Sequence, residues 1–220
     1  MNRPAHIVRP TLLIFAAALA LGACQSIVPG ANRPPPRLYE LTPKSTFDKS
    51  LPRIGAQIIV ETPSASSGLT TSRIAVKERA VTLDYYAQSE WTDVAPNLVQ
   101  TLLVESFENS KRALAVARDG SGLRADYILK PDLREFQAEL YRGPQPSINV
   151  RINVKLVRMP SREIIASQTF QARITAKSGN LDDVIQAFDE SLGKVLKRIV
   201  EWTIKEVRTE GRKGNIRRRQ

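Results

Sequence analysis

One cysteine, Cys24, and one histidine, His6, are all that 220 residues contain, and both lie near the start. A lone cysteine excludes a disulfide within the chain. The fold must therefore rest on its hydrophobic core, which one domain of this length can supply. Also missing is any apolar run of the roughly 20 residues needed to cross a ~30 Å membrane core. No GxxxxGK[ST] phosphate loop occurs, so a nucleotide-driven motor is excluded. No internal repeat or second domain is visible.

What is present begins with a targeting pattern. Arg3, His6 and Arg9 form a short cationic start, and Pro10 to Leu21 is mostly apolar, of a length that suits a signal-peptide core. The stretch closes with Leu21-Gly22-Ala23-Cys24, which resembles the lipobox of bacterial lipoproteins. In that motif small residues suit the peptidase and the thiol takes a diacylglycerol. Residues 1–23 are thus expected to be a signal peptide. Cys24 is the expected lipid attachment site, bearing diacylglycerol and an N-acyl chain, with no other cofactor, metal or catalytic residue. The alternative is an ordinary secretion signal with Cys24 near the cut by chance. Removing residues 1–23 takes Arg3 and Arg9, which lowers the net charge from +11 to +9, and it takes His6 as well. Histidine triads, cysteine nucleophiles and Cys/His zinc sites are then excluded. A pI near 10.1 would ordinarily suggest nucleic acid, but export removes that opportunity.

Residues 24–37, with Pro29, Gly30, Pro34, Pro35 and Pro36, read as a semi-rigid tether reaching up to roughly 40 Å at ~3.1 Å per residue. A single domain is expected over 38–207. Its strands are read at 38–41, 54–62, 73–77, 81–86, 114–117, 127–129, 148–156 and 164–174, with a loop at 63–71. From Ile148 to Leu156 apolar and polar residues alternate without exception, which predicts one buried face and one wet face. Met159-Pro160-Ser161-Arg162 should turn the chain back as an antiparallel hairpin. A first helix opens with Asp93 as cap and Pro96 in its first turn. A second runs from Leu181 to about Val207, with Asn180 as cap and Asp182 and Asp183 near its positive end. The tail, 208–220, carries Arg208, Arg212, Lys213, Arg217, Arg218 and Arg219 against Glu210 alone. It is expected to be disordered, although contact with anionic headgroups or an acidic partner would contribute about 1 kcal/mol per basic residue.

Four groups are weighed individually. Trp91 and Trp202 suit partner or lipid anchors, but ends of the core are the expected role. Ser191 and Lys194 match SxxK, yet sit mid-helix where exposed Ser and Lys are ordinary. Asp182-Asp183 and Asp189-Glu190 are neighbours on a helix, so their side chains diverge and form no shared acid/base site.

The mature chain resembles the PqiC-like family of ABC-type transport auxiliary lipoproteins over nearly its whole length. The resemblance rests on Cys24, the proline spacer, Leu38-Tyr39-Glu40-Leu41, Leu83-Asp84-Tyr85-Tyr86 with Glu90-Trp91, and Ala125-Asp126-Tyr127-Ile128-Leu129. Ala166-Ser167-Gln168-Thr169-Phe170, Ala187-Phe188 and Trp202 complete it. It implies a mixed α/β fold: one mixed, largely antiparallel sheet packed by two long helices, as the strand and helix reading also indicates. It further implies a non-enzymatic partner of an MCE-domain (mammalian cell entry) protein and ABC transporter components, in systems that move phospholipids or other apolar molecules across the envelope of Gram-negative cells. The absence of an aspartate after Cys24 (Gln25 stands there) points to the outer rather than the inner membrane, facing the periplasm. Docking is expected at a sheet edge or at the wet side of the hairpin, for example Arg151 and Lys155. Two alternatives are a lipid carrier with an apolar cavity and, more weakly, a carboxylate hydrolase. A homo-oligomer is left open.

Overall fold

The computed structural model describes residues 34–217, with side chains as far as Arg212. Cys24, the expected signal peptide, most of the expected tether and residues 218–220 lie outside the described residues. From Pro36 onward the fold is one compact unit. Its strands are β1 (Arg37–Tyr39), β2 (Gln57–Val60), β3 (Ser64–Ala65), β4 (Arg73–Lys77), β5 (Asp84–Trp91), β6 (Ala115–Arg118), β7 (Tyr127–Glu139), β8 (Ser147–Arg158) and β9 (Glu163–Thr175). Two helices, α1 (Ala95–Ser110) and α2 (Leu181–Arg217), complete it.

The trunk of the sheet is β7. One of its edges pairs with β8 antiparallel from Tyr127↔Arg158 to Glu139↔Ser147, and β8 pairs in turn with β9. Its other edge is shared end to end by three parallel partners: β2 at Ile128 and Leu129, β3 at Asp132 and Leu133, and β4 at Ala138 and Glu139. Beyond β2 lies β6, and beyond β4 lie β5 and β1. The sheet is mixed, as expected. Five of its eight pairings are parallel, but the long registers are the two antiparallel ones, β7–β8 and β8–β9. Helix α2 packs on β8 and β9, while α1 packs on β2, β6 and α2.

The sequence reading ends its strand at Leu129, yet β7 runs on to Glu139. Two local features hide this. Proline in a central strand normally removes a ladder bond. Here the Leu129 carbonyl accepts from Glu61 N–H on the parallel edge. Pro131, two residues on, turns its nitrogen to that same edge, in the gap between the β2 and β3 pairings. A bulge between Leu133 and Glu135 then adds one residue to the strand. Such an insertion reverses which parity faces the core, so Leu133 and Phe136 both point inward although three residues apart.

Ile148, Val150, Ile152, Val154 and Leu156 of β8 are fully buried under α2, as alternation predicts. The buried stripe of α2 includes Val184, Phe188, Leu192, Val195, Leu196 and Ile199. At its centre the rings of Trp91, Phe136 and Phe188 stand 5.2–5.6 Å apart, two of the three contacts edge-on. Trp91 is therefore core. Trp202 is half-buried and meets Phe170 edge-on at 5.5 Å.

Three local expectations need correction. Asp93 is not the cap of α1: Val94 holds that position without a side-chain bond, while Asp93 accepts from Val94 N–H at 2.6 Å and from Asn97. The expected loop at 63–71 contains the short strand β3. Helix α2 continues ten residues past Val207, to Arg217. No proline interrupts it, Glu210 is held by Arg158, and basic residues near a helix C-terminus are favoured by its dipole. Asn180 does cap α2, accepting from Asp182 N–H at 3.1 Å.

Candidate functional surfaces

The face of β8 turned away from the helices is polar but not wet. Asn149 and Asn153 are buried, Arg151 is half-buried and only Lys155 is exposed. The long side chains of β7 and its following turn lie across them. Glu139, 2% exposed, accepts from Asn149 Nδ2 at 2.9 Å, from Gln137 Nε2 at 3.2 Å and from Arg142. Glu135 accepts from Arg151 at 2.7 Å and faces Lys77 at 3.5 Å. Asn153 donates to Thr169 at 2.9 Å. Apart from Arg151 Nε, which is buried without a partner, these polar groups satisfy one another, and Lys155 alone among the four is exposed. Glu135, Gln137 and Glu139 escape the sequence reading because their strand is hidden behind Pro131 and the bulge.

Burial works to raise the Glu139 carboxyl, but hydrogen bonds from Asn149 and Arg142, the Arg142 charge and Gln137 outweigh it and hold the group below the usual range. A carboxyl depressed in the folded state contributes stability that is full above its unfolded pKa and fades as pH falls through the folded one. The protein is therefore expected to lose stability below about pH 4.5. Glu139→Gln should flatten that acid limb in urea melts at pH 3–7. An unchanged limb would show that Glu139 does not govern it.

The outer edge of β9 offers more. Among the described strands β9 pairs only with β8, leaving thirteen residues with one open edge. Ala176 N–H donates to Pro146 O on the β8 side. In an antiparallel ladder the residues alternate, so Thr175, Arg173, Gln171, Thr169 and Ser167 turn their backbone groups outward. The Gln171 carbonyl is taken from outside by Arg198 at 2.9 Å. Ser167, Gln168 and Thr169 are exposed, and Ile164 is 56% exposed.

The two ends of α2 differ in charge. At its start, Asp182 accepts from Tyr39 Oη at 3.1 Å and meets Arg37 at 3.3 Å, and Asp189 accepts from Thr42 N–H at 2.6 Å. A cavity there, of about 550 Å³, is bordered by Glu40, Asp183, Asp189 and Glu190. Near its other end, Tyr127, Arg158, Met159, Val207, Arg208 and Arg212 border one of about 510 Å³. Asp182, Asp183, Asp189 and Glu190 do diverge, each to its own partner: besides the bonds of Asp182 and Asp189, Asp183 accepts from Ser178, and Glu190 pairs with Lys194. Ser191 is buried rather than exposed and donates to Ala172 O at 3.1 Å, so the SxxK pair is not assembled. Among the described residues no group of three or more acidic, histidine or cysteine side chains is placed to hold a metal. None of their helices is long and apolar enough to cross a membrane.

Comparison with known proteins agrees with this architecture. Protein XCC0632 from Xanthomonas campestris has a similar crystal structure: TM-score 0.76 at 27% identity, covering 80% of this chain and 98% of that one. A crystal structure of an uncharacterized protein is alike in fold alone, with TM-score 0.61 at 10% identity over 77% of this chain and 99% of that one. Uncharacterized protein bll6063 of Bradyrhizobium diazoefficiens is 26% identical over 171 residues, 76% of this chain but 44% of that protein. The chain thus spans less than half the length of this curated relative. Residues 39–200, from β1 through most of α2, match the family model described as the ABC-type transport auxiliary lipoprotein component, and the chain belongs to that family.

Proposed function

We propose that this protein is exported, acylated at Cys24 and works without catalysis as a docking component of an MCE-domain and ABC transport system that moves lipids through the envelope. Family membership implies an envelope lipoprotein that serves an ABC transport system. The lipobox-like Leu21-Gly22-Ala23-Cys24 supports acylation, Gln25 supports the outer membrane, and the proline-rich stretch that follows supports a periplasmic reach. Confinement on a short tether raises the effective concentration of a domain near its partner without any new contact.

The open β9 edge is the observation that carries the docking reading. A strand edge binds an extended segment through main-chain hydrogen bonds, and native proteins cover or charge such edges unless they are used. Ser167 turns its N–H outward and makes no side-chain bond among the described residues, so proline there removes a donor for a partner and none from the β8 ladder. Ser167→Pro is expected to weaken capture of the MCE-domain partner about tenfold, or ~1.4 kcal/mol, with an unfolding midpoint near that of the parent protein. Unchanged capture would move the docking site off this edge.

A further inference from the structure

We propose that the cavity near the C-terminal end of α2 binds the phosphodiester headgroup of an anionic phospholipid. Three observations converge there. Arg158, Arg208 and Arg212 line the cavity against one acid, Asp126, whose carboxylate already accepts from Gln57 N–H at 2.8 Å. Arg158 is held by Glu163 and Glu210, neither of which lines the cavity, and so it is fixed in place. Arg208 and Arg212 have no ion-pair partner among the described residues, and being four apart they share one helix face. Second, Tyr127 is only 9% exposed, yet its hydroxyl has no hydrogen-bond partner among the described residues. That oxygen is not sealed from solvent and the side chain borders the cavity, so the phenol O–H is open to a ligand there. Third, Ile54, Ala56, Met159 and Val207 supply apolar lining. Guanidinium forks and a phenol suit a phosphate oxygen, and the apolar wall suits the first carbons attached to it.

Gly211 makes the site testable apart from its charge. It borders the cavity, and a Cβ built there meets nothing within 4 Å. Gly211→Leu therefore fills space while leaving every arginine in place, and glycine removal within a helix is if anything stabilising.

The experiment titrates the full chain, held in a nonionic detergent, with dihexanoyl phosphatidylglycerol, dihexanoyl phosphatidylcholine and inorganic phosphate by calorimetry. Phosphatidylglycerol should bind best. Both Gly211→Leu and the double variant Arg208→Gln/Arg212→Gln should weaken it at least tenfold, with unfolding midpoints unchanged. No binding of phosphatidylglycerol overturns the proposal. So does equal binding of phosphatidylcholine, which would mark a merely apolar hollow, and so does equal binding of phosphate, which would mark a free-anion site. Loss in the double variant alone would mean diffuse attraction to a basic surface, again overturning it. An acidic peptide that displaced the lipid and bound more tightly would reassign the site to a protein partner. The β9 docking reading is independent, since Ser167→Pro should leave this titration untouched.

Discussion

Cys24→Ala should move the protein from the membrane to the soluble fraction, abolish labelling by radioactive fatty acid, and end its support of transport while its unfolding curve stays the same. Acyl chains contribute ~0.8 kcal/mol per buried methylene, and two or more of them hold a protein firmly. Without them the domain is diluted from an effective concentration of about a millimolar, typical of short tethers, to that of the bulk periplasm. The described fold should not change, because among the described residues the first strand begins at Arg37 and the core is built from Tyr39 onward. Full complementation by the soluble variant would mean that anchoring is not part of the function. A labelled variant would mean that acylation occurs somewhere other than Cys24.

Phe188→Ala is expected to have the largest effect on stability. Phe188 is fully buried and its ring touches both Trp91, at 5.2 Å, and Phe136, at 5.3 Å. Truncating a buried phenylalanine costs about 3–5 kcal/mol through lost transfer energy and the cavity left behind. Part of that cost is the loss of two edge-to-face partners, each worth about 0.5–1.5 kcal/mol. At ~2–4 °C per kcal/mol for a domain of this size, the midpoint should fall by about 6–20 °C in a circular-dichroism melt. Emission from Trp91 should shift to the red as water reaches the vacated space. Lys194→Ala is the contrasting control, because its pair with Glu190 is exposed on one helix face and should change stability by less than about 0.5 kcal/mol. A loss below about 3 °C for Phe188→Ala would place the centre of the core elsewhere.

Phe188 lies in the part of the molecule most readable from residue order, because α2 depends on a stripe with helical period. The hairpin β8–β9 was legible for the same reason: Ile148 to Leu156 alternates strictly, and Met159-Pro160-Ser161-Arg162 turns the chain. The polar face of β8 was legible as polar but not as dry. Its burial comes from Gln137 and Glu139 on a neighbouring strand, and that strand was cut short at Leu129 by a proline that the sheet in fact tolerates. Of the end cavity only the basic charge of Arg208 and Arg212 was legible. Tyr127, Met159 and Arg208 come from three distant segments, and nothing in the residue order brings them together.

By itself the sequence determined which residues are apolar at period 2 or 3.6, and that a chain with a single cysteine must forgo an internal disulfide. Those properties live within a window of a few residues or in a simple count, so they survive without any knowledge of neighbours. Only the tertiary structure decided that β7 is the trunk of the sheet, that β9 keeps an open edge and that arginines gather at one end of α2. Each of these depends on which distant strand closes against which. That choice is made by packing both faces of the sheet at once, with Trp91, Phe136 and Phe188 meeting across 97 residues of chain.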